Sequence, residues 1–193
     1  MAAMTTRRDA SGFFGKVPRH GDFVARRLPA GFTDPWDAWL QAGMADSRAR
    51  LGAGWLPVYL NSPIWRFALG AGVCGPQAWC GVMMPSVDRV GRYFPFTIAC
   101  EADGAGMPGA AWYAALEALA MSALNEGFSL QAFDAALLAH GPPSPGDADG
   151  TSLPDISELA GCATFWLCGD AAPVQSSLTA ALFSEMLLAN SFN

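Results

Sequence analysis

The run Pro63-Ile-Trp-Arg-Phe-Ala-Leu-Gly-Ala-Gly-Val-Cys-Gly-Pro-Gln-Ala-Trp-Cys-Gly-Val-Met-Met-Pro-Ser-Val-Asp-Arg-Val-Gly-Arg-Tyr-Phe-Pro-Phe-Thr-Ile-Ala-Cys100 decides the fold. It holds three strand candidates, Pro63–Leu69, Ala78–Met84 and Phe94–Cys100. Each is short, rich in aromatic and β-branched residues, and bounded by Gly or Pro. Pro95 cannot donate to a ladder, so the last strand should start late or lie at an edge. Between the last two strands, Pro85–Arg92 is a polar loop with turn residues. Phe67–Val87 carries no charge and is long enough to span a bilayer. Its Gly and Pro content instead predicts two buried strands around a turn, with no transmembrane segment.

Working outward, Gly12–Val17 reads as a strand and Pro18–Asp22 as a loop. Phe23–Leu28 continues toward the next element, and Pro29 stops it. Thr33 or Asp34 can cap a helix with Pro35 at its first position, where the missing N–H costs nothing. Trp36, Trp39, Leu40 and Met44 then recur at helical spacing, and Gly52 ends the helix after Leu51. Beyond residue 100, Trp112, Leu116, Leu119 and Ala123 mark one helix. Leu130, Phe133 and Leu137 mark another, with Ser129 as its cap. Ala163–Cys168 reads as a buried strand and Ser176–Leu188 as a closing amphipathic helix. Met1–Ala10 reads as a flexible N-terminus, residues 11–193 as a single domain, and Gly141–Thr151 as a mobile loop. The order predicts an α/β fold: a mixed β-sheet of about five strands with helices packed on its faces, an α/β sandwich.

The chain has 193 residues, 52% of them hydrophobic and 15% charged. That is enough apolar material for one packed core, and it excludes a disordered chain. The net charge is −6, unevenly spread. All 11 Lys and Arg lie at or before Arg92, among six Asp, and residues 93–193 hold 11 Asp and Glu. An overall basic nucleic-acid binder is excluded. The five cysteines form no C-x-x-C, and neither His20 nor His140 has a zinc-like setting. They read as buried, reduced thiols, which fits a cytoplasmic protein. No metal or cofactor is expected.

Motif by motif, chemistry is sparse. Gly70-Ala-Gly-Val-Cys-Gly75 has the letters of a dinucleotide fingerprint, but no helix opens after it, so it reads as a hairpin turn. No P-loop or nucleophile elbow exists. His20, Asp22 and Asp88 could form a small hydrolase-like loop site, with the imidazole as base. The bland alternative gives Asp22 and Asp88 structural roles, capping tight loops or pairing with Arg89 or Arg92.

Four blocks carry a family resemblance. Gly12-Phe-Phe-Gly-Lys-Val-Pro-Arg-His-Gly-Asp-Phe23 resembles the opening of TagF proteins, also called ImpM. Trp36-Asp-Ala-Trp-Leu40 resembles the family's W-D-x-W-L helix, and Pro63-Ile-Trp-Arg-Phe67 its P-x-W-R-F strand. Gly81-Val-Met-Met-Pro-Ser-Val-Asp-Arg-Val-Gly-Arg-Tyr-Phe-Pro95 resembles its most recognisable block. The resemblance implies an α/β sandwich and an accessory regulator of the bacterial type VI secretion system. It further implies a post-translational repressor that binds the forkhead-associated scaffold protein Fha. Some members carry a fused phosphatase domain, and that activity is not carried over. A structural component of the secretion apparatus is the remaining alternative. The matched blocks give Lys16, Arg19, Asp22, Asp88, Arg89 and Arg92 as candidate partner-binding residues, and the basic N-terminal stretch adds Arg27. Both loops follow strands, so they should meet at one end of the sheet, fixed by an Asp22–Arg92 or Asp88–Arg89 pair.

Overall fold

The computed structural model describes residues 10–102, 106–143, 153–169 and 172–189. The stretch 1–9 and most of the expected loop at 141–151 lie outside the described residues.

The three central strands form as the opening run predicts. They are β3 (Trp65–Leu69), β4 (Ala78–Met84) and β5 (Phe96–Ala102). To them are added β1 (Gly12–Gly15), β2 (Val24–Arg26), β6 (Ala163–Trp166) and β7 (Val174–Ser176). The sheet order is β2-β1-β5-β4-β3-β6-β7, and every pairing is antiparallel. The sheet therefore has seven strands where about five were expected, and it is antiparallel where a mixed one was expected. The two missed strands are three-residue edges, too short to show a period-two pattern. β5 does start after Pro95, but it lies between β1 and β4 and is no edge. Gly70–Gly75 is the turn of the β3–β4 hairpin, where the Gly72 N–H donates to the Gly75 carbonyl.

Among the described residues five α-helices cover the sheet: α1 (Ala30–Leu51), α2 (Trp55–Leu60), α3 (Ala110–Ser122), α4 (Leu130–His140) and α5 (Ala180–Leu188). Side chains alternate across the strands into two cores. Trp65, Phe67, Leu69, Trp79 and Met83 meet Trp36, Trp39, Tyr59 and Phe183 on one face. Ala68, Cys80, Val82, Phe96 and Ile98 meet Trp112, Tyr113, Leu116 and Phe133 on the other. Burial on both faces explains why β3 has no exposed position and reads as a continuous apolar run. Arg66, inside that run, is buried against α3, where Glu117 takes it in two bonds of 2.7 and 3.2 Å.

Local boundaries differ from expectation for identifiable reasons. α1 starts at Ala30, before Thr33 and Asp34, so Pro35 sits inside it. The early turn is held by tertiary packing: Phe32 is fully buried, stacks on Trp36 and packs at a tilt against Trp79 at 4.6 Å. Pro35 forfeits only one intrahelical bond near the start. α2 was unforeseen; its i,i+4 pair Trp55 and Tyr59 stacks at 4.7 Å. The closing helix is shorter than Ser176–Leu188, because Val174–Ser176 pairs with β6 and Thr179 caps α5 by accepting from the Leu182 N–H.

Candidate functional site

The sheet register places the two motif loops together. Gly15, the end of β1, and Met84, the end of β4, both pair with Phe96 on the intervening β5. The loops that follow therefore leave the same end of the sheet, one on each side of β5. Gly15 allows the closest part of this approach: its φ is 137°, and a Cβ there would lie 2.2 Å from the Pro95 carbonyl oxygen.

The second loop is a small hairpin. Val87 bridges to Tyr93, the Asp88 N–H donates to the Arg92 carbonyl, and Gly91 turns the chain at φ 87°. Tyr59 of α2 clamps its base, donating to the Ser86 carbonyl and accepting from the Ser86 N–H, each at 3.0 Å. Burial pushes the Tyr59 phenol well above its ordinary range, so it stays a donor.

Asp88 is the centre of the assembly. Its carboxylate is fully enclosed. Oδ1 accepts from the backbone N–H of Val90 at 3.0 Å and of Arg92 at 2.9 Å. Oδ2 accepts from Lys16 Nζ at 2.9 Å and Arg92 Nε at 2.6 Å. Burial alone would raise the carboxyl's pKa. The Arg92 N–H, the Lys16 ammonium, the Arg92 guanidinium and the Val90 N–H outweigh that and hold it well below the usual carboxylate range. The group is an anion at neutral pH and a cross-link between loops.

The remaining contacts tie the two loops directly. The Arg89 N–H donates to the His20 carbonyl at 2.9 Å, and Arg92 Nη2 donates to the Gly21 carbonyl. Among the described residues Asp22 has no ion-pair partner; the residue is exposed and its carboxylate accepts from the adjacent Phe23 N–H. The expected pairs Asp22–Arg92 and Asp88–Arg89 are thus replaced by Lys16–Asp88 and Asp88–Arg92. Spacing could not choose among these partners, because any of the nearby cations can reach a carboxylate across a loop.

The candidates divide by exposure. Lys16 is buried in the lock and lies 5.1 Å from the Phe23 ring. Arg19 and Arg89 are exposed, and the Arg92 side chain is 56% exposed. Arg27 is elsewhere. It follows β2 in a left-handed conformation, φ 58°, donates Nε to the Ser11 carbonyl, and meets Asp134 of α4 at 2.6 Å. His20 sets its ring edge-on to Phe128 at 6.1 Å. Sequence reasoning missed Phe23 and Val90, which are 42% and 65% exposed beside these arginines. The signal was available, since both are apolar residues in otherwise polar loops.

The cysteines are all free thiols. Cys74, Cys80 and Cys100 are buried as expected, but Cys162 is half-buried and Cys168 exposed. Among the described residues, no group of three or more His, Cys, Asp or Glu could hold a metal ion. No helix among them is long and apolar enough to cross a membrane.

Fold and site together define an α/β sandwich that presents a pair of ion-locked loops at one end of its sheet. The chain belongs to the TagF N-terminal domain family, described as type VI secretion system-associated, which matches residues 12–140. It is also similar to PA0076 from Pseudomonas aeruginosa PAO1, known as a crystal structure. The two share 35% identity and a TM-score of 0.78, over 92% of this chain and 94% of that one. That likeness extends past the family match into the C-terminal strands and helix. No curated protein matches the chain.

Proposed function

We propose that this type VI secretion-associated protein is a regulator that works by binding a protein partner. Its action is post-translational repression through an Fha-type forkhead-associated scaffold, in the cytoplasm and without nucleic acid. The observation that carries the reading is the locked loop pair. Lys16 and Asp88 fix a rigid base, and Arg19, Arg89 and Arg92 stand exposed above it. Preorganised, cation-rich surfaces with an aromatic anchor suit recognition, because little ordering cost is left for the binding step.

The protein acts without catalysis in this reading. Of the three groups that would form a hydrolase-like site, Asp88 has four donors on its carboxylate, Asp22 accepts from its neighbour's N–H, and His20 packs on Phe128. The imidazole base of such a site needs a carboxylate free to orient it, and the Asp88 carboxylate is already filled by its four donors.

Effector release in a deletion strain tests the proposal. Loss of a repressor raises release. Loss of a structural component of the apparatus silences it, and silenced or unchanged release would reject the repressor.

A further inference from the structure

The locked loops present more than charge. Val90 stands at the hairpin tip, 65% exposed, and Phe23 is 42% exposed. Phe23 is fixed from behind: it stacks on Phe14 at 5.4 Å and meets Phe94 edge-on at 4.9 Å. Its open edge is therefore held in place. The exposed arginines sit on the same two tied loops: Arg89 and Arg92 flank Val90 in the hairpin and reach His20 and Gly21 of the first loop, which also carries Arg19 and leads into Phe23. Gly21 brings the loops into register. The Arg89 guanidinium lies 3.5 Å from where a Gly21 Cβ would stand, and the Gly21 carbonyl accepts from Arg92.

From this juxtaposition we infer that the surface formed by Phe23, Val90, Arg19, Arg89 and Arg92 docks an acidic protein segment that carries an apolar side chain. The inference rests on the reading of the protein as a partner-binding regulator, and names the chemistry of the partner. Exposed guanidinium groups such as those of Arg19 and Arg89 pair with carboxylates through two parallel bonds, while Arg92, held by Asp88 and Gly21, adds positive charge beside them. The apolar pair offers area whose burial favours a side chain rather than water. Complementary charge also selects the partner at contact range, where the local guanidinium groups rather than the net charge of −6 set the field. An anionic membrane fits less well. Membrane recognition by basic clusters uses about four to eight Lys or Arg, and this surface has three exposed arginines.

Site-specific photo-cross-linking in cells that produce the secretion system tests this. A benzophenone amino acid is placed at Val90 of the full chain, with Leu138 on α4, 49% exposed, as the control position. The cross-linked segment is then mapped by mass spectrometry. The expected result is a protein segment with a surplus of Asp and Glu, captured from Val90 and not from Leu138. Arg19→Glu with Arg89→Glu should cut the yield about tenfold, with an unchanged melting temperature. A segment without acidic surplus, capture of lipid or nucleic acid, capture insensitive to the charge reversal, or no capture at all overturns the inference. The deletion-strain measurement separates the two claims. Raised release with a non-acidic segment removes this inference and keeps regulation. Unchanged release with an acidic segment does the reverse.

Discussion

Lys16 Nζ and Asp88 Oδ2 meet at 2.9 Å across 72 positions of sequence, with the carboxylate wholly enclosed and the lysine side chain 7% exposed. The pair closes two loops over the end of β5. A buried ion pair is retained at a cost in desolvation, and removing one partner leaves an uncompensated charge. Here the cost is offset by four donors on one carboxylate, which leaves none of its charge unmatched.

The first prediction concerns acid. Asp88 has a folded pKa depressed below the ordinary 3.8. Its contribution to stability is therefore fully present above the unfolded value and is lost as pH falls through the folded one. Asp88→Asn should lower Tm clearly at pH 7. The gap between variant and wild type should begin to narrow once pH drops below about 4. Thermal melts across pH 2–8 check this. A gap independent of pH would show that the charge of Asp88 does not hold the loops.

The two cations on Asp88 should not be equal. Lys16 is buried, whereas the Arg92 side chain is 56% exposed and partly screened by water. Lys16→Ala should therefore lower Tm more than Arg92→Ala. The Arg92 backbone N–H still reaches Oδ1 in the second variant, since the main chain is unchanged. A larger loss for Arg92→Ala would place the lock at Arg92 instead, and equal losses would mean that burial of Lys16 adds nothing.

Much of this was legible in the sequence, and the failures have physical causes. Strands β3, β4 and β5 are bounded by Gly and Pro and buried on both faces, so composition alone marks them. Ser129 was readable as a cap because its side chain has one local partner, the Ala132 N–H. β2 and β7 were not readable, because three residues at a sheet edge carry no periodicity. The start of α1 was misplaced because Phe32 packs against Trp79, a contact across the chain that overrides the local Pro35 signal. The meeting of the two loops followed from both trailing strands. The identity of the ion pairs did not, because it depends on which cation the register brings under Phe96.

Gly81 shows how tightly the central register is set. A Cβ there would lie 2.0 Å from the Ile98 carbonyl oxygen and 2.9 Å from Phe67 Cζ. Both neighbours are in the sheet, so neither can give way cheaply. Gly81→Ala should cost about 3 kcal/mol or more, read as a shift in denaturation midpoint. A loss below about 1 kcal/mol would mean that the strands can separate locally to admit a methyl group.

The thiols should react in order of exposure. Cys168 is exposed and Cys162 half-buried, while burial pushes the Cys74 thiol up to about 12. Thiolate is the reactive form, so Cys74 is protected by both access and acidity. Ellman titration of the native protein should label Cys168 first and spare Cys74, Cys80 and Cys100 until unfolding. Early labelling of Cys74 would reveal opening of the β3–β4 hairpin beside it.

The uneven charge along the chain has a structural use at Arg27. The basic half reaches the acidic half through Arg27 to Asp134 of α4 and, on the same face of the sheet, through Arg66 to Glu117 of α3. At Arg27 the charges meet at 2.6 Å, yet Asp134 Oδ1 and Arg27 Nη2 have no aligned hydrogen bond. The residue also carries a left-handed backbone, φ 58°, which costs a non-glycine residue about 1–2 kcal/mol. Two effects thus oppose each other at one position. Arg27→Ala loses the pair and keeps the strain, whereas Arg27→Gly loses the pair and releases it. Arg27→Ala should therefore be less stable than Arg27→Gly by about 1 kcal/mol. A double-mutant cycle with Asp134→Ala should give a coupling of about 0.5–3 kcal/mol. Neither variant should alter cross-linking from Val90, because Arg27 braces β2 against α4 and stands apart from the loop surface. Loss of capture in a folded Arg27 variant would move the docking surface toward that brace.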